Sequence, residues 1–351
     1  MSRFFNSKLS SLESYTPGEQ PQDRAYIKLN TNESPFPPSK GVIKAVNKKL
    51  VKRLRLYCNP EATLLKNKLA EYYKTNPQNI FVSNGSDDIL NFAFLAFGEK
   101  GVVFPDISYG FYGVFAQLHG LESETMPLKD DFTIDENDYL GKGKLIVIAN
   151  PNAPTGITLS LKQIENILIS NPDSVVIIDE AYIDFGGESS AELTKKYNNL
   201  LCVQTFSKSR SMAGARVGFA IANEEIINDL EKIKYSTNPY NVNTLSQMAG
   251  VAALEDKEYY LNNCQKIIEN RDYTVKELEK IGFEVLPSKA NFIFAKSHKI
   301  GGQELYLKLK ENGVLVRHFE KPRICDFNRI TIGSKKEMEI FITKVKEILG
   351  E

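Results

Sequence analysis

Apolar residues fall along this chain in two textures that change near residue 250. Before it, short runs without polar alternation recur at Ile80 to Ser83, Val102 to Phe104, Leu145 to Ala149, Val175 to Ile178, Leu200 to Gln204 and Val217 to Ile221. Each is strand-length and apolar on both faces, the pattern of a largely parallel sheet covered by helices on each side. Helical stretches separate many of them. Asn59-Pro60 followed by Leu64, Leu65 and Leu69 reads as a cap, a first-turn proline and an amphipathic helix, which Asn76-Pro77 then stops.

After it, Leu261, Cys264, Ile268, Val275, Leu278 and Ile281 mark one face of a long helix, with Gly282 placed as its C′ residue. Strand-like Asn291 to Ala295, Val314 to Val316 and Arg329 to Ile332 follow. The last helix has Ser334 as its cap, Glu337 three residues on, and a buried stripe of Met338, Phe341, Ile342, Val345 and Leu349. The expected fold is α/β: a large domain over residues 31–250 with a mostly parallel, helix-covered sheet, then a smaller α+β C-terminal domain over 251–351. Residues 1–30, rich in Ser, Pro, Gly and charge, cannot form a core and are expected to be an N-terminal arm.

Composition narrows the classes. At 351 residues, 42% hydrophobic and 25% charged, the chain is long and apolar enough to build a core without disulfides or metals, which excludes a disordered or fibrous protein. Lys plus Arg (44) equals Asp plus Glu (44), which removes the broad basic footprint of a dedicated nucleic-acid binder. No apolar run approaches the ~18 residues of a membrane span, and the first residues lack the apolar core of a signal peptide, so a cytoplasmic location is expected. Cys58, Cys202, Cys264 and Cys325 are scattered without Cys-x-x-Cys spacing, so reduced thiols are expected and no metal site.

Candidate chemistry gathers where apolar runs end. The segment from Thr205 to Phe219 places Ser207-Lys208-Ser209 and Arg216 in one loop between two apolar strands. A lone lysine is usually a solvated surface group. With two hydroxyls and a second cation beside it, Lys208 is placed to form a Schiff base with an aldehyde cofactor, while Thr205, Ser207 and Arg216 hold a phosphate. In Asp179-Glu180-Ala181-Tyr182 an acid closes a wholly apolar strand, where open α/β sheets bind ligands. It is either a helix cap or a carboxylate facing a protonated ring nitrogen, with Tyr182 near the ring hydroxyl. Asn84-Gly85-Ser86-Asp87 turns a strand into a helix whose first N–H groups form an anion site. Asn150 to Gly156 is a dense turn, and Tyr109 lies just past a strand end, where its ring can stack on a flat cofactor or pack in the core.

In order and spacing these motifs resemble the fold-type I, pyridoxal-phosphate-dependent aminotransferases, from Tyr15 to the final helix, and within them the enzymes acting on histidinol phosphate. The resemblance implies a pyridoxal 5′-phosphate cofactor held as a Schiff base by Lys208, with Asp179 as the pyridinium partner, Tyr182 on the ring oxygen and Tyr109 stacked on the ring. It implies a phosphate cup of Gly85, Ser86, Asp87, Thr205, Ser207 and Arg216, completed by Tyr57 from the neighbouring subunit of a homodimer. Tyr15, in an arm also expected to reach across that interface, Asn32 in Leu29-Asn30-Thr31-Asn32-Glu33, Arg317 and Arg329 match positions that bind the phosphorylated substrate. Many relatives carry Asn-Asn before Pro-Thr-Gly where this chain has Asn152-Ala153, so either Asn152 reaches the ring hydroxyl or Tyr182 serves alone. The segment holding His318, Lys321, Arg323 and Cys325 matches no family pattern.

The reaction implied is transfer of an amino group between L-histidinol phosphate and 2-oxoglutarate, giving imidazole-acetol phosphate and L-glutamate. A threonine-phosphate decarboxylase and an aromatic aminotransferase are the rivals. A regulator would need a DNA-binding module for which there is no spare length, and no Gly-x-Gly-x-x-Gly follows an early strand as a dinucleotide binder requires.

Overall fold

A computed structural model describes residues 2–351. Seven strands form the central sheet, in the order Ile80–Ser83, Gly218–Ile221, Leu200–Thr205, Val176–Asp179, Leu145–Ala149, Val102–Pro105 and Ser123–Met126. Gly218–Ile221 is antiparallel to both its neighbours and every other pairing is parallel. The five strands between the two edges are buried along their whole length, because helices such as Ser86–Phe97, Phe111–His119 and Leu161–Ser170 cover both faces. Ser123–Met126 escapes sequence reading because it is a mostly solvated edge with little apolar content.

The helix expected after Asn59-Pro60 begins later, at Thr63, and runs to Tyr73. Asn59 caps a turn instead, its side chain accepting from Glu61 N–H at 2.9 Å, while Ala62 in a left-handed conformation (φ 49°) launches the helix. Leu65 and Leu69 are buried as expected, but Leu64 is 62% exposed.

A four-stranded antiparallel sheet follows, ordered Arg317–His318, Phe327–Thr331, Phe292–Ser297 and Phe283–Val285. The long helix Lys257–Lys280 packs on it through Cys264, Ile267 and Leu278, with Ile267 rather than Ile268 as the buried member. Ser334 and Glu337 form the reciprocal cap of helix Lys335–Leu349. Near the N-terminus, Ile27–Lys28 pairs in parallel with Val314–Leu315, and Leu29 joins the core behind the second sheet. Among the described residues no helix is long and apolar enough to cross a membrane.

Candidate active site

A cavity of about 750 Å³ opens at the carboxyl ends of the central strands, between the two sheets. An open α/β sheet concentrates ligand chemistry there, since each strand delivers its following turn to the same edge. Ser86 and Asp87, Tyr109, Ala153, Asp179 with Tyr182, and Thr205 with Ser207 and Lys208 arrive from five such turns. The second sheet contributes Arg317 and Arg329, the connection between their two strands contributes Lys321, and the N-terminal segment contributes Tyr15, Thr31 and Asn32.

Lys208 Nζ donates to Thr31 O at 3.3 Å and lies 5.7 Å from the centre of the Tyr182 ring. Burial, then the Arg329 charge, pushes its ammonium down to about 8, with Glu33 and Asp87 opposing. Asp179 is buried; Tyr112 Oη donates to its Oδ2 at 2.9 Å and Ala181 N–H to its Oδ1 at 3.3 Å. Burial lifts its carboxyl to about 7 against those hydrogen bonds. Asn32 Nδ2 donates to Tyr182 Oη at 3.0 Å, and Asn32 is itself fixed by Thr331 Oγ1.

The anion cup is assembled by close backbone approach. Gly85 has φ 82°, and a Cβ there would stand 2.5 Å from Arg216 Nη2. A Cβ on Gly218 would stand 2.3 Å from the Gly85 carbonyl carbon. Helix Ser86–Phe97 starts at this point with its N–H groups uncapped by any side chain. Arg216 pairs with Asp87 at 2.8 Å, Tyr109 Oη donates to the other Asp87 oxygen at 2.9 Å, and Thr205 Oγ1 donates to Ser207 Oγ at 2.9 Å.

Arg317 donates to Pro17 O and Thr16 O, each at 3.3 Å, and Arg329 Nη2 to Asn30 O at 3.0 Å. Among the described residues Arg329 Nε is buried without a partner. Tyr15 stacks on Phe111 at 4.2 Å and shares this region of the cavity with both arginines.

Two expectations change. Tyr15 was expected to act across a subunit interface, yet it lines its own chain's cavity, because the pairing of Ile27–Lys28 with Val314–Leu315 turns the arm back over it. Asn152 was a candidate for the ring hydroxyl, but its turn consumes it: it accepts from Ser108 Oγ at 2.8 Å and donates to Ile107 O and Thr155 Oγ1, leaving Ala153 to face the cavity. Tyr57 lies away from the cavity, 83% exposed and stacked on Tyr240.

The unassigned cations also find places. Lys321 lines the cavity and donates to Asp106 O at 3.1 Å, Arg323 holds Leu128 O at 2.6 Å, and His318 lines an adjoining cavity of about 480 Å³. Cys325 stays local, its thiol 3.1 Å from Pro322 O. Sequence reading missed Tyr112, whose spacing three residues after Tyr109 is only that of a helix face. It also missed Arg210, buried 3.3 Å from Asp184 among the rings of Tyr72, Phe206, Phe219 and Tyr260, where it anchors the loop carrying Lys208.

Residues 24–345 match the model of the aminotransferase class I and II family, and the chain belongs to that family. Enzymes of this class work with pyridoxal 5′-phosphate. Along its length the chain is 53% identical to the histidinol-phosphate aminotransferase of Brachyspira hyodysenteriae over 352 residues, 99% of each chain. It is 47% identical to that of Clostridium botulinum over the whole of both. The fold superimposes with a TM-score of 0.90 on the histidinol-phosphate aminotransferase of Sinorhizobium meliloti in complex with pyridoxal-5′-phosphate, 23% identical, covering 100% of this chain and 98% of that one.

The residues present fit such a cofactor. A cup closed by two glycines and an arginine suits its phosphate, a lysine amine of lowered basicity suits its aldehyde, and a buried acid suits its ring nitrogen.

Proposed function

We propose that the chain is the aminotransferase that interconverts L-histidinol phosphate plus 2-oxoglutarate and imidazole-acetol phosphate plus L-glutamate, in histidine biosynthesis. The observation that carries the substrate is the convergence of Arg317, Arg329 and Tyr15 in the cavity that also holds Lys208, with Arg329 Nε buried and unpartnered. A guanidinium so placed favours a phosphate dianion, which takes several charge-assisted hydrogen bonds at once.

Pyridoxal 5′-phosphate would supply an aldehyde that accepts the amino group and an electron-poor ring that takes up the electron pair left on the substrate carbon. Ser86 and Asp87 backbone, Thr205, Ser207 and Arg216 would bind its phosphate, Tyr109 would wall one side of the ring, and Tyr182 would reach the ring oxygen. Asp179 would keep a proton on the ring nitrogen. Lys208 Nζ would hold the aldehyde and, once released, move the proton of the substrate carbon that carries nitrogen. Its lowered pKa leaves a usable share of free amine near neutrality. Asn32 orients Tyr182, and the arm, which lines the cavity, would limit the access of water.

This reading divides the chain into an arm over 1–30, a cofactor-binding domain over 31–250 and a small domain over 251–351. It also makes the enzyme a homodimer. Ile43, Val51, Leu54, Leu56 and Tyr57 are exposed within one short stretch, as at an interface. The four free thiols suit the reducing cytoplasm.

The test follows amine transfer and carbon dioxide release together across phosphorylated and unphosphorylated amines. Transfer from histidinol phosphate is expected to exceed that from histidinol by about 10⁴-fold in kcat/KM, since losing the anion leaves desolvated cations unpaired. Carbon dioxide release without transfer, or equal use of unphosphorylated aromatic amino acids, would overturn the assignment.

A further inference from the structure

Helix Phe111–His119 passes behind the carboxyl end of strand Val176–Asp179 and sets Tyr112 against Asp179. Tyr112 has no solvent exposure and does not line the cavity, whereas Asp179 does. Its ring is fixed by Phe94 stacked at 6.4 Å, Phe104 edge-on at 5.9 Å and Tyr109 edge-on at 5.7 Å. A phenylalanine would keep every one of those contacts. The hydroxyl therefore answers to something other than packing, and among the described residues its one partner is Asp179 Oδ2 at 2.9 Å.

The other groups facing Asp179 work against its charge. Asp87, from the first turn of helix Ser86–Phe97, and Glu180, its chain neighbour, both favour the protonated acid, and burial favours it most. Against these stand two donors, Ala181 N–H on Oδ1 and Tyr112 Oη on Oδ2, and Tyr112 is the one side chain donating to this carboxylate among the described residues. Burial beside Asp179 raises the Tyr112 phenol well above its ordinary range, so it keeps its proton, and its role as donor, at any working pH.

We propose that Tyr112 is a positioning residue that holds Asp179 as a carboxylate and turns its remaining lone pairs into the cavity. This rests on the reading of Asp179 as the partner of the cofactor's ring nitrogen. A neutral carboxylic acid at that place could not balance a protonated ring nitrogen, so the phenol acts on the reaction through Asp179 without touching substrate or cofactor.

The test is Tyr112→Phe, read in two ways. In the apo-protein, the infrared band of the protonated Asp179 carboxyl, identified by its loss in Asp179→Asn, is expected to persist to a pH about one unit higher than in the wild type. In the loaded enzyme, kcat is expected to fall about tenfold with KM within about twofold, because what is lost acts on the chemical step and not on substrate binding. A carboxyl that titrates where it does in the wild type overturns the proposal, as does a shifted titration with kcat unchanged. In a chain that transferred no amino group, the kcat arm would fall with the reading above. The apo-protein titration would then by itself uphold or overturn the hold of the hydroxyl on Asp179.

Discussion

Burial drives Lys208 and Asp179 towards their neutral forms; for Lys208 that fits its duty as a free amine, whereas for Asp179 it opposes the carboxylate its duty requires, and the Tyr112 and Ala181 donors counter it. The consequence for stability differs in sign: Asp179, raised from 3.8 to about 7, makes the folded chain the one that binds the extra proton between those values, so its contribution falls as pH rises. Lys208 falls from its ordinary 10.5 to about 8, so between those values the unfolded chain binds the extra proton and folding gains as pH rises. Apo-protein carrying Lys208→Met is expected to be more stable than the wild type near neutrality, with the advantage shrinking as pH climbs from about 8 towards 10.5. Denaturant unfolding across that range measures it, and a constant difference would mean that Lys208 is as solvated as a surface lysine. These two residues were legible in sequence because an ionisable group at the end of an apolar strand is locally unusual. Tyr112 was not, because its part depends on which way a helix face points, and one residue in a row of letters does not carry that direction.

At the scale of elements, the site depends on how closely two strands approach. Ser83 and Gly218 are paired across an antiparallel ladder, and the turn after Ser83 presses on Gly218 so tightly that a Cβ would meet Gly85 C at 2.3 Å, Ser86 N at 2.4 Å and Gly85 O at 2.6 Å. All three are backbone atoms, which cannot swing aside as a flexible side chain would. Gly218→Ala is expected to cost about 1–3 kcal/mol by overpacking and to loosen cofactor retention. Gly214→Ala, with nothing within 4 Å of its Cβ position, is expected to stay within about 0.5 kcal/mol of the wild type. Equal unfolding midpoints for the two variants would show that the cup can widen freely. The strands themselves were legible because burial on both faces leaves unbroken apolar runs, and the last helix because its cap is written in Ser334 and Glu337. The edge strand Ser123–Met126 was hidden by its solvated face, and the late start of helix Thr63–Tyr73 by a turn that uses Asn59 for itself.

For the whole molecule, the position of each tyrosine decides how the subunits of the proposed homodimer would share a site. Tyr15 lies in its own chain's cavity, held by its stack on Phe111 and by the return of the arm along Val314–Leu315. Tyr57 lies outside, on a surface with Val51, Leu54 and Leu56 exposed beside it, so any part it plays at a phosphate cup must be at another chain's. These placements separate two mixing experiments. Lys208→Ala chains mixed in equal amount with Tyr57→Phe chains are expected to regain about a quarter of wild-type activity at limiting cofactor, since about half of the dimers are then heterodimers and one of the two sites in each joins an intact Lys208 to an intact Tyr57. Lys208→Ala combined with Tyr15→Phe is expected to regain nothing beyond the residual Tyr15→Phe activity, because each chain's Lys208 and Tyr15 serve the same cavity and no mixed site holds both. Recovery in the second mixture, with heterodimers confirmed by mass, would mean that the arm exchanges between subunits in solution; failure of the first would remove Tyr57 from the partner's cup.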